Sequence, residues 1–128
     1  MAGELAAVVK AMMSDFEKMD FDAVAKSAAH DMQGIDEVSR SWIRGRKGLT
    51  EYFKKIAASV SKIHDSKLND VHETIVGDIG ILTCWLEQDY TLEGKRQHIS
   101  APTTVVLRRE GGAWKIVLFH SLPLPEAG

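Results

Sequence analysis

The sequence predicts an α+β domain in which helices come first and a curved antiparallel sheet follows. Apolar residues in the first third recur at three- and four-residue spacing, the period of a helix buried along one face. From Ile63 onward apolar and polar residues alternate, which is the period of strands. Short turns rich in glycine and acidic residues divide that second half, as hairpins require.

The elements follow in order. Leu5, Val8, Val9, Met12, Met13, Phe16 and Met19 form one apolar stripe and make the first helix. Asp20 stands where an N-cap belongs, ahead of a second short helix over Phe21 to Ala29. Met32 to Ile43 loses the helical period and reads as two short strands around a polar turn. A third helix follows Gly45, with Leu49, Tyr52, Phe53, Ile56 and Val60 on its buried face. Strands are then expected at about Lys67 to Val76, Ile79 to Leu92, Gln97 to Arg109 and Ala113 to Leu122. Gly77-Asp78, Glu93-Gly94-Lys95 and Glu110-Gly111-Gly112 supply their turns, so these strands pair antiparallel. Helices laid on one face of such a sheet leave an apolar-walled hollow beneath them.

Length and composition set the outer bounds. The 128 residues fit one domain, 1–128, with no repeat, linker or low-complexity segment. A net charge of −2 with dispersed Lys and Arg gives no basic face for nucleic acid. A single cysteine, Cys84, cannot close an internal disulfide, which fits a reducing cytoplasm. The N-terminus lacks the basic start and apolar run of a signal peptide, and no apolar stretch is long enough to span a bilayer. A cytoplasmic protein with no membrane partner is the expectation.

Three stretches carry a resemblance to a known family. Asp20-Phe-Asp-Ala-Val-Ala-Lys-Ser-Ala-Ala-His-Asp-Met-Gln-Gly-Ile-Asp36 is similar to its "GD-x-[ED]-A … DD … D" opening. Arg44-Gly-Arg-Lys-Gly-Leu-Thr-Glu-Tyr-Phe53 is similar to its "G-[RK]-x-x-[IL]-x-x-[FY]" helix start. Val105 to Ser121 contains Gly-Ala-Trp-Lys-Ile and His-Ser, similar to its closing "G-x-W-[KR]-I … H-x-S". Together they span nearly the whole chain in the right order. The chain thus resembles the nuclear-transport-factor-2-like superfamily, in its SnoaL-like and ketosteroid-isomerase-like branch. That resemblance implies a cone-shaped, cystatin-like fold, a curved antiparallel sheet with three N-terminal helices over its concave face. It does not fix the function, because the superfamily hosts isomerases, cyclases, dehydratases, hydrolases and non-catalytic modules.

Carried across residue by residue, the isomerase pattern is incomplete. Its general-base aspartate falls on Asp36, but its tyrosine donor falls on Met12 and its second carboxylic acid at about Val105. Without those oxyanion donors, steroid isomerisation by that mechanism is not expected.

Asp36 and His120 are the candidate catalytic residues. A carboxylate facing an apolar hollow is a usable general base; the alternative for Asp36 is a turn aspartate bonding backbone amides ahead of Val38-Ser39. In the last strand Trp114, Ile116, Leu118 and His120 share one side, and the resemblance turns that side inward. An inward His120 would orient Asp36, share its proton or bond a ligand oxygen; otherwise a backbone carbonyl satisfies it. The expectation is an Asp36–His120 pair within direct or one-water hydrogen-bonding distance.

The ligand-binding walls come from the helices through Met12, Phe16, Tyr52, Phe53 and Ile56. Leu82, Cys84 and Leu86 point inward from one strand, since Glu87 and Asp89 stay wet. Thr103, Val105 and Leu118 complete the walls from the last two strands. The histidines show no paired spacing, so no metal or other cofactor is expected. Thr83, Trp85, Thr104, Val106, Val117 and Phe119 make an apolar outer sheet face, which predicts a homodimer through it. The small apolar organic molecule in the hollow is the other expected partner. Two functions stay open: a proton-transfer enzyme of isomerase, cyclase or hydrolase type, or a non-catalytic dimeric ligand-binding or protein-interaction module.

Overall fold

The computed structural model describes residues 3–125 and has the α+β architecture expected. Helices α1 (Glu4–Glu17), α2 (Phe21–Ser27) and α3 (Gly45–Ser59) alternate with or precede strands β1 (Ala28–Asp36), β2 (Ile43–Arg44), β3 (Val60–Val76), β4 (Ile79–Leu92), β5 (Lys95–Glu110) and β6 (Ala113–Ser121). The six strands form one unclosed sheet in the order β2-β1-β6-β5-β4-β3. β3 to β6 run as antiparallel hairpins, and β1 returns to lie parallel beside β6.

Each helix is placed by its apolar stripe. Leu5, Ala6, Val9, Met12 and Met13 of α1 are buried against Leu82, Leu86 and Leu107 of the sheet. The amide of Leu5 donates to Glu73 Oε1 of β3 at 2.9 Å, so a sheet carboxylate satisfies the helix N-terminus. Close approach there depends on Gly80, where an added Cβ would lie 2.7 Å from the Leu5 methyl groups. Asp20 caps α2 as expected, its Oδ1 accepting from the Ala23 amide at 3.2 Å. In α3 Leu49 and Ile56 are buried, while Tyr52 and Phe53 are half-buried and face the sheet.

Boundaries move in three places. α2 ends at Ser27, and Ala28-Ala29, expected as helix, begin β1. β2 is only two residues long, paired with Gln33 and Gly34. β3 starts at Val60, seven residues before the expected Lys67, because the helix runs into the strand without a loop. At the β5–β6 hairpin Gly111 and Gly112 both have positive φ (58° and 83°), the backbone a type I′ turn needs.

One irregularity changes which side chains face inward. Along β5–β6, Leu107 pairs with Ile116 but Val106 pairs with Leu118, leaving Val117 as the extra residue of a β-bulge. Before the bulge Ile116 is buried inward; after it Phe119 and Ser121 face the helices. Leu118 and His120 pair with Val106 and Thr104 and stand on the outer face. The expected inward set Trp114, Ile116, Leu118, His120 is therefore correct only through Ile116. Likewise Phe119 is not an outer-face residue; Leu118 takes that place. Alternation cannot reveal a bulge, which adds one residue and reverses parity beyond it.

Candidate functional site

Between the helices and the concave sheet lies a hollow of about 740 Å³, its open mouth included. Met12, Met13 and Phe16 enter it from α1, Tyr52 and Phe53 from α3, and Leu86, Ile116 and Phe119 from the sheet. Aromatic stacking shapes the helical wall: Phe16 and Tyr52 lie 6.3 Å apart at 21°, and Phe21 and Phe53 4.7 Å apart at 10°. At one end a smaller recess of about 250 Å³ adjoins, lined by Ile56, Val60, Ile63 and Tyr90. Asp36, Glu37, Tyr52, Phe16 and Gln88 border both spaces.

The polar end is built by the turn that leaves β1. Asp36 Oδ1 accepts from the amides of Val38 (3.0 Å) and Ser39 (2.8 Å), and Ser39 Oγ accepts from the Asp36 amide (3.0 Å). That reciprocal lock is the turn role which sequence left open for Asp36. Its other oxygen, Oδ2, accepts a short hydrogen bond from the Tyr52 hydroxyl. With three donors on it, Asp36 fixes the turn and the Tyr52 ring.

The next residue is differently placed. Glu37 is half-buried, and its Oε1 accepts from the Tyr90 hydroxyl at 3.1 Å. A backbone amide and the Tyr90 hydroxyl both favour its ionised form. Burial, reinforced by the charge of Asp36, pushes the Glu37 carboxyl up to about 7. Burial likewise holds Tyr52 and Tyr90 above the ordinary phenol value, with the two carboxylates adding to it. Both phenols are therefore donors at neutral pH. Gln88 completes the rim, its Nε2 donating to Ser66 Oγ at 2.9 Å.

Of the residues expected at the site, Asp36, Met12, Phe16, Tyr52, Phe53 and Leu86 line the hollow, and Ile56 lines the recess. Leu82, Cys84 and Val105 point inward but lie in the packed core beneath α1, not on the cavity wall. Burial pushes the Cys84 thiol up to about 11, leaving it un-ionised at neutral pH. Thr103 is buried and bonds Ser121 Oγ at 2.8 Å, one layer behind the wall. Leu118 and His120 are excluded by the bulge. The His120 ring lies 6.2 Å from that of Trp42 on the outer side, so the Asp36–His120 pair does not form.

Glu37, Tyr90, Gln88, Phe119 and Ser121 were not anticipated. A signal for two of them was present. If Glu87 and Asp89 are wet, parity turns Gln88 and Tyr90 inward, and two buried polar groups need a partner nearby.

The sequence comparison shows the family, and the structure comparison shows the fold. The SnoaL-like domain model matches residues 5–125. No curated protein sequence matches the chain. A Streptomyces avermitilis structure named as a candidate dehydratase of the NTF2-like family superposes with a TM-score of 0.82 at 21% identity, over 96% of each chain. A ketosteroid isomerase-like protein from Erwinia carotovora gives 0.82 at 16% identity, over 97% of this chain and 96% of that one. A Xanthomonas campestris protein, named as a candidate calcium/calmodulin-dependent protein kinase II association domain, gives 0.86 at 22%, over 99% and 90%. At such identities the likeness speaks for the fold alone. With its model matched over nearly the whole chain, the protein belongs to the SnoaL-like domain family.

Proposed function

We propose that the hollow binds a small, largely apolar organic molecule and that Glu37 exchanges a proton with it. The observation that carries this reading is a half-buried carboxyl group on the wall of a largely apolar cavity, which burial pushes up to about 7. A group that is half ionised near neutral pH can both take and return a proton there. Asp36 and Tyr52 act as positioning residues, because they lock the turn that carries Glu37. Tyr90 holds Glu37 at the boundary between the hollow and its recess. The reaction class is general acid–base proton transfer, and the role first sought in Asp36 and His120 moves to Glu37.

The same reading includes a homodimer through the outer sheet face. What supports it is the row Ile79, Ile81 and Trp85 on β4, each 38–39% exposed in the single chain. Val106 and Leu118 extend that row across neighbouring strands.

The test is binding of the neutral dye Nile red across the neutral range. A neutral apolar ligand dehydrates Glu37 further and so favours its protonated form. Affinity should fall as pH rises through about 7, and should be flat in Glu37→Gln. Wild-type affinity that ignores pH through this window contradicts the assignment.

A further inference from the structure

The charge lining the cavity narrows its ligand. Among the described residues Asp36 and Glu37 are the charged side chains on the hollow and its recess, with no Lys, Arg or His on either wall. Lys55 Nζ instead donates to the Ser39 carbonyl at 3.4 Å, on the loop behind Asp36. Asp36 is supplied with donors by two amides and Tyr52. Glu37 receives the Tyr90 hydroxyl from across the sheet and, among the described residues, no cationic donor.

Two adjacent acids facing a low-dielectric space repel each other and repel any anion that enters. A carboxylate or phosphate ligand would find no counter-charge. A cation would gain from both acids, and its hydrocarbon part would meet Phe16, Phe53 and the methionines.

We propose that the hollow takes a small apolar amine in its protonated form, the ammonium standing at Glu37 beside Asp36 and the hydrocarbon part lying against Phe16, Phe53 and Met32. This rests on the reading of the hollow as a ligand pocket and adds the ligand's charge. Once bound, the ammonium holds Glu37 ionised, so ligand entry itself readies the base.

The test uses three compounds of similar shape: 2-phenylethylamine (cationic), 2-phenylethanol (neutral) and 3-phenylpropionate (anionic). Each is titrated at neutral pH while the ε-methyl resonances of Met12, Met13 and Met32, all on the cavity wall, report entry. The amine should saturate these shifts at a concentration roughly 10-fold or more below the alcohol, with no shift from the carboxylate. Glu37→Gln should reduce the amine's advantage to a few-fold or less. If the alcohol saturates at or below the amine's concentration in wild type, the charge assignment is wrong while the pocket reading survives. If none of the three moves the methionine methyls up to about 1 mM, both fall.

Discussion

Tyr90 donates its phenolic hydrogen to Oε1 of Glu37 at 3.1 Å, joining the end of β4 to the turn after β1 across 53 residues of sequence. The contact crosses the boundary between the hollow and its recess. Through it the sheet holds in place a carboxyl group that belongs to a loop. Around Glu37 stand Asp36 from the same turn and Tyr90 from β4, so its titration reflects both, together with its burial.

The first consequence is for stability against pH. Glu37 is pushed up from 4.5 to about 7, so the folded chain binds this proton more tightly than the unfolded chain. Its stabilising contribution is complete below about 4.5 and is lost as pH rises through about 7. Wild type should lose on the order of 1–3 kcal/mol over that window from this group, and Glu37→Gln should not. Urea midpoints at the two ends of the window measure it; equal losses in both proteins would count against the burial of Glu37.

Tyr90→Phe gives a directional test of the same contact. The Tyr90 hydrogen bond favours ionised Glu37, opposing the effects of burial and of Asp36. Removing the hydroxyl should move the Glu37 transition to higher pH. A shift to lower pH, or none, would mean that the bond does not reach the carboxylate.

The outer face makes a separate prediction. Trp85→Glu should convert a dimer of 14.2 kDa subunits to monomer, since it places an unpaired charge in the contact. Light scattering at micromolar concentration decides it. A wild-type protein already monomeric there would remove the dimer from the account.

Much of the fold was legible because long elements state their period repeatedly. The α1 stripe from Leu5 to Met13 and the Leu82-Cys84-Leu86 alternation each offer several concordant positions. The parallel pairing of β1 with β6 joins the first strand to the last and has no local signal. Within the site, the helical wall of Met12, Phe16, Tyr52 and Phe53 was legible for the same reason. His120 was misplaced because Val117 bulges, an event of backbone pairing that side-chain pattern does not encode. Asp36 was found, but two of its three donors are amides of its own turn, whose next residue is Glu37. A turn residue has no periodicity to betray its direction, so Glu37 becomes visible only when Tyr90 is brought across to it.

The central claim is that Glu37 is the titrating group of the hollow. The most direct measurement is the side-chain carboxyl ¹³C shift of Glu37, followed by NMR as a function of pH in the ligand-free protein. This account predicts a transition centred at about 7. A transition near the ordinary glutamate value of 4.5 would contradict it and leave the cavity without a working acid.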